Sequence, residues 1–342
     1  MTKPALIHVD KLYKHFKILK HHRGALGALR NLITRKYNLV RAVDGISFDI
    51  QPGELVGYIG PNGAGKSTTI KMLTGLLVPS GGEIRVNGRV PWQERRAHVA
   101  RIGVVFGQRT TLWWDLPVIE SLALLQYIYR IPAARFRQNM AEFRQMLDLD
   151  PFLDTPVRSL SLGQRMRADI CAALIHNPPL LFLDEPTIGL DVVARDRIRQ
   201  FIRHINRERN TTVILTTHDL SDVEKLCRRV MIIDHGQLLF DGQLDTLRNR
   251  FGGQRELIVD LAMEYERVDV EGAQVVERDG LRVTYRFARG EVTASELIGR
   301  LSARYRILDL QVREPEIEDT VRRIYQERLL EPGQNARRAD PA

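Results

Sequence analysis

The stretch "ELVGYIGPNGAGKSTTI", residues 54–70, decides the fold, because an apolar run leads through a glycine-rich loop directly into a helical pattern. The loop has the spacing G-x-x-x-x-G-K-[ST], a motif that requires a strand before it and a helix after it. Glycines let the backbone N–H groups of such a loop turn toward phosphate oxygens. The motif predicts a phosphate-binding loop made of Gly60, Pro61, Asn62, Gly63, Ala64, Gly65, Lys66, Ser67 and Thr68.

Two side chains of this loop carry chemistry of their own. A lysine in the position of Lys66 reaches the β- and γ-phosphates, and a hydroxyl in the position of Ser67 binds Mg²⁺. A second apolar run, "LLFLDEP" at residues 180–186, ends in Asp184 and Glu185. Open α/β sheets bind ligands at the carboxyl ends of their strands. We therefore expect Asp184 to hold Mg²⁺ through water, and Glu185 to orient or deprotonate the attacking water.

Polar residues follow two more apolar runs. His218 follows "ILTT", and Gln108 follows "IGVVFG". His218 either contacts the γ-phosphate and fixes Glu185, or it is a structural hydrogen-bonding residue. Gln108 either touches Mg²⁺ and the water, or it has no part in the site. The residues alone leave both alternatives open.

A second anion-binding feature lies in "LSLGQRMRAD", residues 160–169. Ser161 and Gly163 open a predicted helix, and the first N–H groups of a helix lack partners within it. Together with the positive end of the helix dipole, these groups bind anions. The alternative is that Ser161 only caps the helix.

Apolar runs alternate with helical patterns over residues 5–248. This alternation predicts an α/β domain with a largely parallel sheet. A basic segment at residues 17–41 interrupts the domain and has a partly helical pattern of apolar positions.

The pattern changes over residues 249–330, where strands prevail. Asp279 and Gly280 form a hairpin turn signal, and Thr293 is placed to cap a helix. We expect a small α+β domain there. The tail at residues 331–342 lacks large apolar side chains to bury, which predicts disorder.

The composition restricts the partners and the cellular setting. The 51 Lys and Arg residues outnumber the 42 Asp and Glu residues, which gives a net charge of +9. This excess suits nucleic acid or the cytoplasmic leaflet of a membrane, or it serves solubility alone. No stretch approaches the ~20 apolar residues that span a bilayer, and residues 1–10 lack the apolar region of a signal peptide. Cys171 and Cys227 lack metal-ligand spacing, so we expect a reducing compartment without disulfides or zinc.

In their order along the chain, the phosphate loop, Gln108, "LSLGQ", "LFLDEP", "GLD" and His218 resemble the nucleotide-binding domain of ABC ATPases. The resemblance covers about residues 5–248 and implies an α/β P-loop NTPase fold of the ABC type with a helical signature subdomain. It implies that Gln108 is the Q-loop residue and His218 the switch histidine. It also implies that Phe16 stacks on adenine, with Tyr13 as the less favoured alternative.

The family signature is LSGGQ, which Ser161, Gly163 and Gln164 match while Leu162 replaces the first glycine. In the family this segment grips the γ-phosphate of an ATP held by the other subunit, and the D-loop, here ending in Asp191, crosses to that subunit. The resemblance therefore implies a head-to-tail homodimer with two ATP molecules between its subunits. Leu162 is strained if its position needs a positive φ, and harmless if it needs only helical geometry.

The chain contains one such domain, whereas soluble ABC ATPases acting on DNA or ribosomes usually carry two domains or a long coiled coil. This difference favours a transport ATPase with separate membrane permease subunits. In ABC transporters the segment after the Q-loop, here "RTTLWWDLPVIESLALL" at residues 109–125, receives a cytoplasmic helix of the permease. Trp113 and Trp114 either anchor that helix or pack into the core of the domain.

The segments "PTIGLDVVAR" and "ILDLQVREPEIEDTVRRIY" are similar to those of ABC-2-type exporter ATPases, which implies export. Residues 17–41 resemble an insert of O-antigen and teichoic-acid exporter ATPases. This insert contacts anionic headgroups or the permease, or it is a solvated insertion. We expect a cytoplasmic ATPase that uses ATP and Mg²⁺ and is attached to the inner face of the cell membrane through ABC-2-type permease subunits. The alternatives are a polysaccharide exporter ATPase and a non-transport ABC ATPase acting on nucleic acid, although nucleic-acid binding is disfavoured.

Overall fold

The computed structural model of the chain describes residues 4–19, 37–107, 109–251, 254–288, 290–314, 317–326 and 330. Most of the basic segment, the tail at residues 331–342 and Gln108 lie outside these ranges. The described residues form two compact units that divide after Asp241.

Strands and helices alternate through the first unit, and strands prevail in the second. The strands in the described ranges are β1 (Ile7–Leu19), β2 (Tyr37–Ile50), β3 (Leu55–Ile59), β4 (Gly81–Val86), β5 (Ile102–Phe106), β6 (Leu180–Asp184), β7 (Thr212–Thr217), β8 (Arg229–Asp234), β9 (Gln237–Gln243), β10 (Gln254–Leu261), β11 (Gln274–Asp279), β12 (Arg282–Ala288) and β13 (Ile307–Arg313). The α-helices there are α1 (Lys66–Leu73), α2 (Arg95–Val99), α3 (Val118–Ile128), α4 (Ala133–Leu147), α5 (Leu162–Leu174), α6 (Val192–Arg209), α7 (Leu220–Leu226), α8 (Leu244–Phe251), α9 (Ala294–Arg304) and α10 (Ile317–Gln326).

A six-stranded sheet with the order β5-β6-β7-β3-β8-β9 forms the centre of the first unit. The pairs β5–β6, β6–β7, β7–β3 and β3–β8 are all parallel, which confirms the predicted α/β architecture. Residues 180–183 of β6 are fully buried, as expected for a strand covered on both faces of a parallel sheet. Because parallel strands end at the same edge, the segments after β3, β5, β6 and β7 meet there.

A three-stranded antiparallel sheet with the order β2-β1-β4 packs beside the central sheet. Apolar side chains from both sheets and from α1 share one core, whose fully buried members include Ile7, Leu12, Ile46, Tyr58 and Ile70. This shared core fixes α1, and therefore the phosphate loop before it, against the sheet.

Helices α3, α4 and α5 form the helical part that the resemblance predicts. Phe143 of α4 meets Phe201 of α6 edge to face, with ring centroids 5.2 Å apart. This geometry is favourable for aromatic pairs and holds the helical part to the sheet-covering helices. Among the helices that the structure describes, none is both long and apolar enough to cross a membrane.

A buried ion pair ties α6 to α7. Arg199 Nε donates to Asp222 Oδ1 at 2.6 Å, and the two side chains are 5% and 0% exposed. The Thr187 hydroxyl donates to the other oxygen of Asp222, and Arg199 Nη2 donates to Ser221 Oγ at 2.9 Å. Thr187 follows Glu185 by two positions, so this network also fixes the chain just after the glutamate that is the candidate catalytic base.

The second unit is a four-stranded antiparallel sheet with the order β11-β12-β10-β13 and α9 on one face. The Thr293 cap predicted for α9 is confirmed, since Thr293 and Glu296 form a reciprocal capping box. The predicted hairpin is present, but its loop is shifted by one residue. Asp279 pairs with Arg282, so Gly280 and Leu281 form the loop. Gly280 alone has a positive φ there, 56°, as the first loop residue of a type II′ turn requires.

Helix α8 belongs to the second compact unit. The compact units divide before it, whereas the sequence places the domain boundary at residue 248, inside it. Its buried side chains Leu244 and Leu247 belong with the second unit, where α8 contacts α10. A composition change cannot reveal such packing.

We predict that Arg199→Leu lowers the free energy of unfolding of the first unit by about 3–5 kcal/mol, because the variant leaves Asp222 buried without its cation. Urea denaturation monitored by circular dichroism would measure the loss. Arg207→Leu, at an exposed position of the same helix, is the matched control and should change it by less than about 0.5 kcal/mol. Equal effects of the two substitutions would contradict the role given to the pair.

Candidate nucleotide-binding site

A cavity of about 480 Å³ opens at the carboxyl edge of the parallel sheet. Its volume lies within the range of small-molecule sites. It is bordered by the loop after β3, the first residues of α1, and the ends of β5 and β6. All predicted loop residues except Gly60 and Ala64 line it, together with Asp184 and Glu185. The structure therefore brings the loop and the two acids together, as the sequence predicts.

The loop conformation depends on glycine at position 65. Gly65 precedes α1 with a φ of 109°, and a Cβ there would stand 2.4 Å from the carbonyl oxygen of Ala42. Both the left-handed backbone and the close approach exclude other residues. The first turn of α1 carries no acidic side chain, so its N-terminal N–H groups and dipole remain favourable for an anion.

Lys66 is a nearly buried cation at the base of the loop, 7% exposed. Its Nζ donates to the carbonyl oxygens of Gly60 at 2.5 Å and Pro61 at 3.1 Å. Burial lowers the pKa of the Lys66 ammonium, while the nearby carboxylates of Glu185 and Asp184 oppose that shift. A buried ammonium bonded to neutral carbonyls is well placed to gain energy from an anionic ligand.

Asp184 at the end of β6 is oriented by two hydroxyls. The Thr216 hydroxyl donates to Oδ1, and Ser67 Oγ donates to Oδ2 at 3.3 Å. Thr216 lies on β7, two residues before His218, and sequence analysis missed it. The sequence feature that could have indicated Thr216 is its position in "TTH", at the end of an apolar run. Hydroxyl and carboxylate oxygens together make a set of hard donors, of the kind that Mg²⁺ prefers.

Glu185, which lines the cavity, forms a second pair with His218. His218 Nδ1 lies 2.7 Å from Glu185 Oε2, and because an ionised carboxylate only accepts, Nδ1 carries the proton. Glu185 has a φ of 57°, unusual for a residue with a side chain, and strain of this kind concentrates at functional sites. Burial raises the pKa of the Glu185 carboxyl, opposed by His218 and Lys66.

The two candidates for stacking on adenine differ in exposure. Phe16 is 38% exposed on β1, and Lys14 Nζ lies 5.3 Å from its ring centroid. Tyr13 is half-buried and meets the His15 ring edge to face. Neither residue lines the cavity itself.

The signature segment forms the start of α5. Ser161 is its N-cap, and Ser161 and Gln164 make a reciprocal capping box: Gln164 N donates to Ser161 Oγ at 3.2 Å, and Ser161 N donates to Gln164 Oε1 at 2.9 Å. Ser161 Oγ accepts a bond in this box, so its own proton stays available to a ligand. Leu162 is in helical geometry without a positive φ, so its replacement of glycine causes no backbone strain.

The signature segment does not line the cavity of its own chain. Ser161, Gly163 and Gln164 are absent from its walls, and so is Asp191. Asp191 caps α6, where its Oδ1 accepts from Ala194 N at 2.9 Å. The predicted site residues therefore form two groups. One group lines the cavity, and the other, made of the signature residues and Asp191, lies outside the cavity of its own chain.

An exposed apolar surface lies beside the segment that follows Gln108. Trp113 and Trp114 are 39% and 50% exposed, so neither ring is in the core. The outer side of α3 adds Leu124, Tyr127 and Ile128 at helical spacing. A groove of about 850 Å³ adjoins Ile128 and is bordered by four arginines, which are Arg95, Arg96, Arg130 and Arg135.

Asp169 of α5 connects the signature helix to the segment after Gln108, and sequence analysis missed it. Asp169 is buried, and its Oδ1 accepts from Thr110 Oγ1 at 2.8 Å and from Thr111 N at 3.0 Å. Burial raises the pKa of the Asp169 carboxyl to about 6. The sequence feature that could have revealed this residue is the position of Asp169 between Ala168 and Ile170, on a helix that is otherwise apolar there.

We predict a pH-dependent difference in stability between Asp169→Asn and the native chain. The pKa of Asp169 is about 6 in the fold, against 3.8 for an ordinary aspartate, so the folded chain holds the proton more tightly. Ionisation of Asp169 therefore lowers the free energy of unfolding as pH rises from about 4 to about 6, by up to about 3 kcal/mol. Asparagine keeps the Oδ1 acceptor and cannot ionise, so its relative stability should rise over this range and level off above it.

Urea unfolding of both proteins from pH 4.5 to pH 7.5 would measure this difference. Asp169→Ala is the control for the hydrogen bonds, because it leaves Thr111 N without its acceptor and should be about 1–3 kcal/mol less stable than Asp169→Asn at every pH. A constant difference between Asp169→Asn and the native chain would show that the carboxyl does not titrate as stated.

Comparison with known proteins agrees with this geometry. Residues 43–188 match the sequence profile of the family described as ABC transporter. The chain is 34% identical over 294 residues to the linearmycin resistance ATP-binding protein LnrL of Bacillus subtilis (strain 168), which covers 84% of this chain and 94% of that protein. It is 38% identical over 220 residues to the daunorubicin/doxorubicin resistance ATP-binding protein DrrA of Streptomyces peucetius, with 64% and 66% covered.

A solved structure shows the same fold in a nucleotide-bound dimer. The dimeric ATP-binding cassette MJ0796, in a post-hydrolysis state bound to ADP and Pi, superposes with a TM-score of 0.57 and 26% identity. The match covers 70% of this chain and 98% of that one. Cassettes of this kind form dimers and work with membrane permease subunits. The chain belongs to the ABC transporter family and is the ATP-binding and ATP-hydrolysing subunit of such a transporter.

Proposed function

We propose that this chain is the ATPase of an exporter whose membrane passage is formed by separate permease subunits of the ABC-2 type. Two relatives are named for drug or antibiotic resistance, and others of 33–37% identity are named as Nod factor export ATP-binding proteins. The observation that carries the enzymatic part is that Glu185 lies beside Lys66 in one cavity and is hydrogen-bonded to His218. The chain would act in the cytoplasm, at the inner face of the cell membrane, with residues 17–41 near anionic headgroups or the permease.

The phosphates of ATP would lie in the loop before α1. Lys66 would exchange its carbonyl partners for the β- and γ-phosphate oxygens, and the N–H groups at the start of α1 would bond the β-phosphate. Ser67 and Asp184, whose oxygens lie 3.3 Å apart, would hold Mg²⁺ together with Gln108. Bound magnesium supplies positive charge beside the phosphates. Phe16, exposed on β1, would stack on the adenine ring.

Hydrolysis would proceed through Glu185. The oxygen of a water molecule attacks the γ-phosphorus while the Glu185 carboxylate accepts a proton of that water. The bond between the γ-phosphorus and the bridging oxygen breaks, which yields ADP and phosphate. His218 Nδ1–H holds the carboxylate in place, and the raised pKa of Glu185 makes it a stronger base than an exposed glutamate.

A second copy would complete the site. Ser161, Gly163 and Gln164 lie outside the cavity of their own chain, yet they form the N-terminus of a capped helix with a free hydroxyl proton. In a head-to-tail dimer this helix start would bond the γ-phosphate held by the other Lys66, and Asp191 would approach the same nucleotide. ATP then favours the closed dimer because it makes both sets of contacts only there.

We predict that Glu185→Gln binds ATP with native affinity but hydrolyses it roughly 10²–10⁴-fold more slowly, because the amide cannot accept the proton. The variant should retain unhydrolysed ATP after rapid gel filtration, whereas Lys66→Ala should retain none. Radiolabelled ATP would measure both results. Native turnover by Glu185→Gln would contradict its role as the base.

The same assay tests the contribution of the second copy. Adding Ser161→Asp to Glu185→Gln keeps the helix cap but places a negative charge against the phosphate. The double variant should release ATP, although Ser161 is not in the cavity of its own chain. Retention equal to that of Glu185→Gln alone would contradict the shared site.

The exposed apolar surface is the proposed contact for the permease. Tyr127 is 77% exposed, so Tyr127→Ala should leave folding and the ATPase rate of the isolated chain unchanged. It should weaken co-purification with a co-expressed permease by roughly 30-fold if the ring is an interface anchor. Val78→Ala, at another exposed apolar position, is the control. Undiminished co-purification of Tyr127→Ala, Trp114→Ala and Ile128→Ala would place the permease contact elsewhere.

A further inference from the structure

Strand β13 is an edge strand of the second unit. The sheet order is β11-β12-β10-β13, and within the described ranges no strand covers the outer edge of β13. Leu310 N donates to the neighbouring Asp309 carboxylate at 2.8 Å, so this N–H points away from β10. Backbone groups alternate along an antiparallel strand, so those of Val312 also point outward, whereas a register shift between Ile307 and Asp309 interrupts the alternation at Leu308. Such an edge is a template for another strand.

The same edge continues the apolar face of the sheet. Leu310 lies opposite Val259, and Val312 lies opposite Leu257. Val259 and Leu257 are fully buried in the core beneath α9, whereas Leu310 and Val312 are 38% and 36% exposed. Facing residues of an antiparallel pair share a face. The apolar layer therefore extends beyond the area that α9 covers.

The sequence of β13 is complementary to itself when it is read in reverse. Residues 309–313 are Asp-Leu-Gln-Val-Arg. In an antiparallel pair centred on Gln311, Asp309 faces Arg313 of the second copy, and Leu310 faces Val312 of the second copy. Both pairs occur twice by symmetry, so the register forms two opposite-charge contacts and two apolar contacts.

Other registers fit less well. A centre at Asp309 places two carboxylates opposite each other, and a centre at Leu310 places Ile307 against Arg313. The centre at Gln311 also suits the backbone, because Leu310 N can turn from the Asp309 carboxylate to the second copy, where the outward groups of Leu310 and Val312 then exchange N–H···O bonds. Arg313 can turn toward the second copy, since its side chain is 60% exposed and its ion pair with Glu256 is long, at 4.0 Å.

We propose that β13 pairs antiparallel with β13 of a second copy of this chain, about a two-fold axis at Gln311, in a contact that needs no nucleotide. This contact goes beyond the ATP-dependent dimer of the proposed function. It would keep two nucleotide-binding domains at high effective concentration after ATP is hydrolysed.

The test is the oligomeric state of the full-length chain without nucleotide, measured by sedimentation velocity over a concentration series. The native chain and Lys66→Ala should both dimerise. Asp309→Arg places arginine against Arg313, and Arg313→Asp places two carboxylates together, so each variant alone should dissociate at least tenfold more readily. Glu277→Arg, which makes the same charge change on the opposite edge strand β11, should dimerise as the native chain does.

Mixing the two variants separates pairing from misfolding. A dimer of one Asp309→Arg chain with one Arg313→Asp chain has opposite charges at both contacts, so the equimolar mixture should recover the dimer. The double variant D309R/R313D should recover it as well. A general structural defect would not be repaired by mixing.

A disulfide tests the register. Gln311→Cys would face its own copy at a Cα separation of about 4.5–5.5 Å, which a disulfide can bridge. Leu308→Cys would lie about 20 Å from its copy and should not cross-link. The native Cys171 and Cys227 are buried, so the background is low. A nucleotide-free chain that stays monomeric, or a mixture that does not recover the dimer, would overturn the proposal while leaving the ATP-dependent dimer untouched.

Discussion

The buried ammonium of Lys66 is the interaction on which the nucleotide site depends. It is held by the carbonyl oxygens of Gly60 and Pro61, and these can bond it only because the loop bends back over the start of α1. The bend requires the left-handed backbone of Gly65, which passes too close to Ala42 for any side chain. Neutral carbonyls compensate a buried cation incompletely. The fold therefore holds the Lys66 ammonium where an anionic phosphate would stabilise it better than the carbonyl oxygens do.

The acidic side of the site is built by the parallel sheet. Asp184 and Glu185 are adjacent in sequence but have different neighbours, because one ends β6 and the other has a left-handed backbone that turns its side chain toward His218. Thr216 fixes the first carboxylate from the neighbouring strand. Adjacent acids with separate environments can take separate roles, one as a ligand oxygen and the other as a base.

The sequence predicts what is local, and it misses what depends on packing. The sequence predicts the loop with Lys66 before α1, since its glycines, lysine and flanking apolar run are contiguous, although Gly60 and Ala64 do not line the cavity. Asp169 and Thr216 were missed because their importance comes from residues on other elements, Thr111 and Asp184, that the fold brings to them. The sequence places the hairpin loop one residue early, at Asp279 and Gly280. The Asp-Gly pair indicates a turn, but it does not determine which two residues pair across the end of the loop, here Asp279 and Arg282.

The signature helix shows why an incomplete site can still be well ordered. Ser161 and Gln164 satisfy each other's backbone, so the helix start keeps its shape without a ligand. Leu162 fits because the position is helical, and its side chain lies against the backbone of Gly189, where a Cβ would be only 3.0 Å away. The D-loop and the signature therefore support each other within one chain. In the proposed ATP-dependent dimer, a helix start that is already ordered would lose little entropy on meeting the phosphate held by a second copy, so the dimer would gain most of its energy from that phosphate contact.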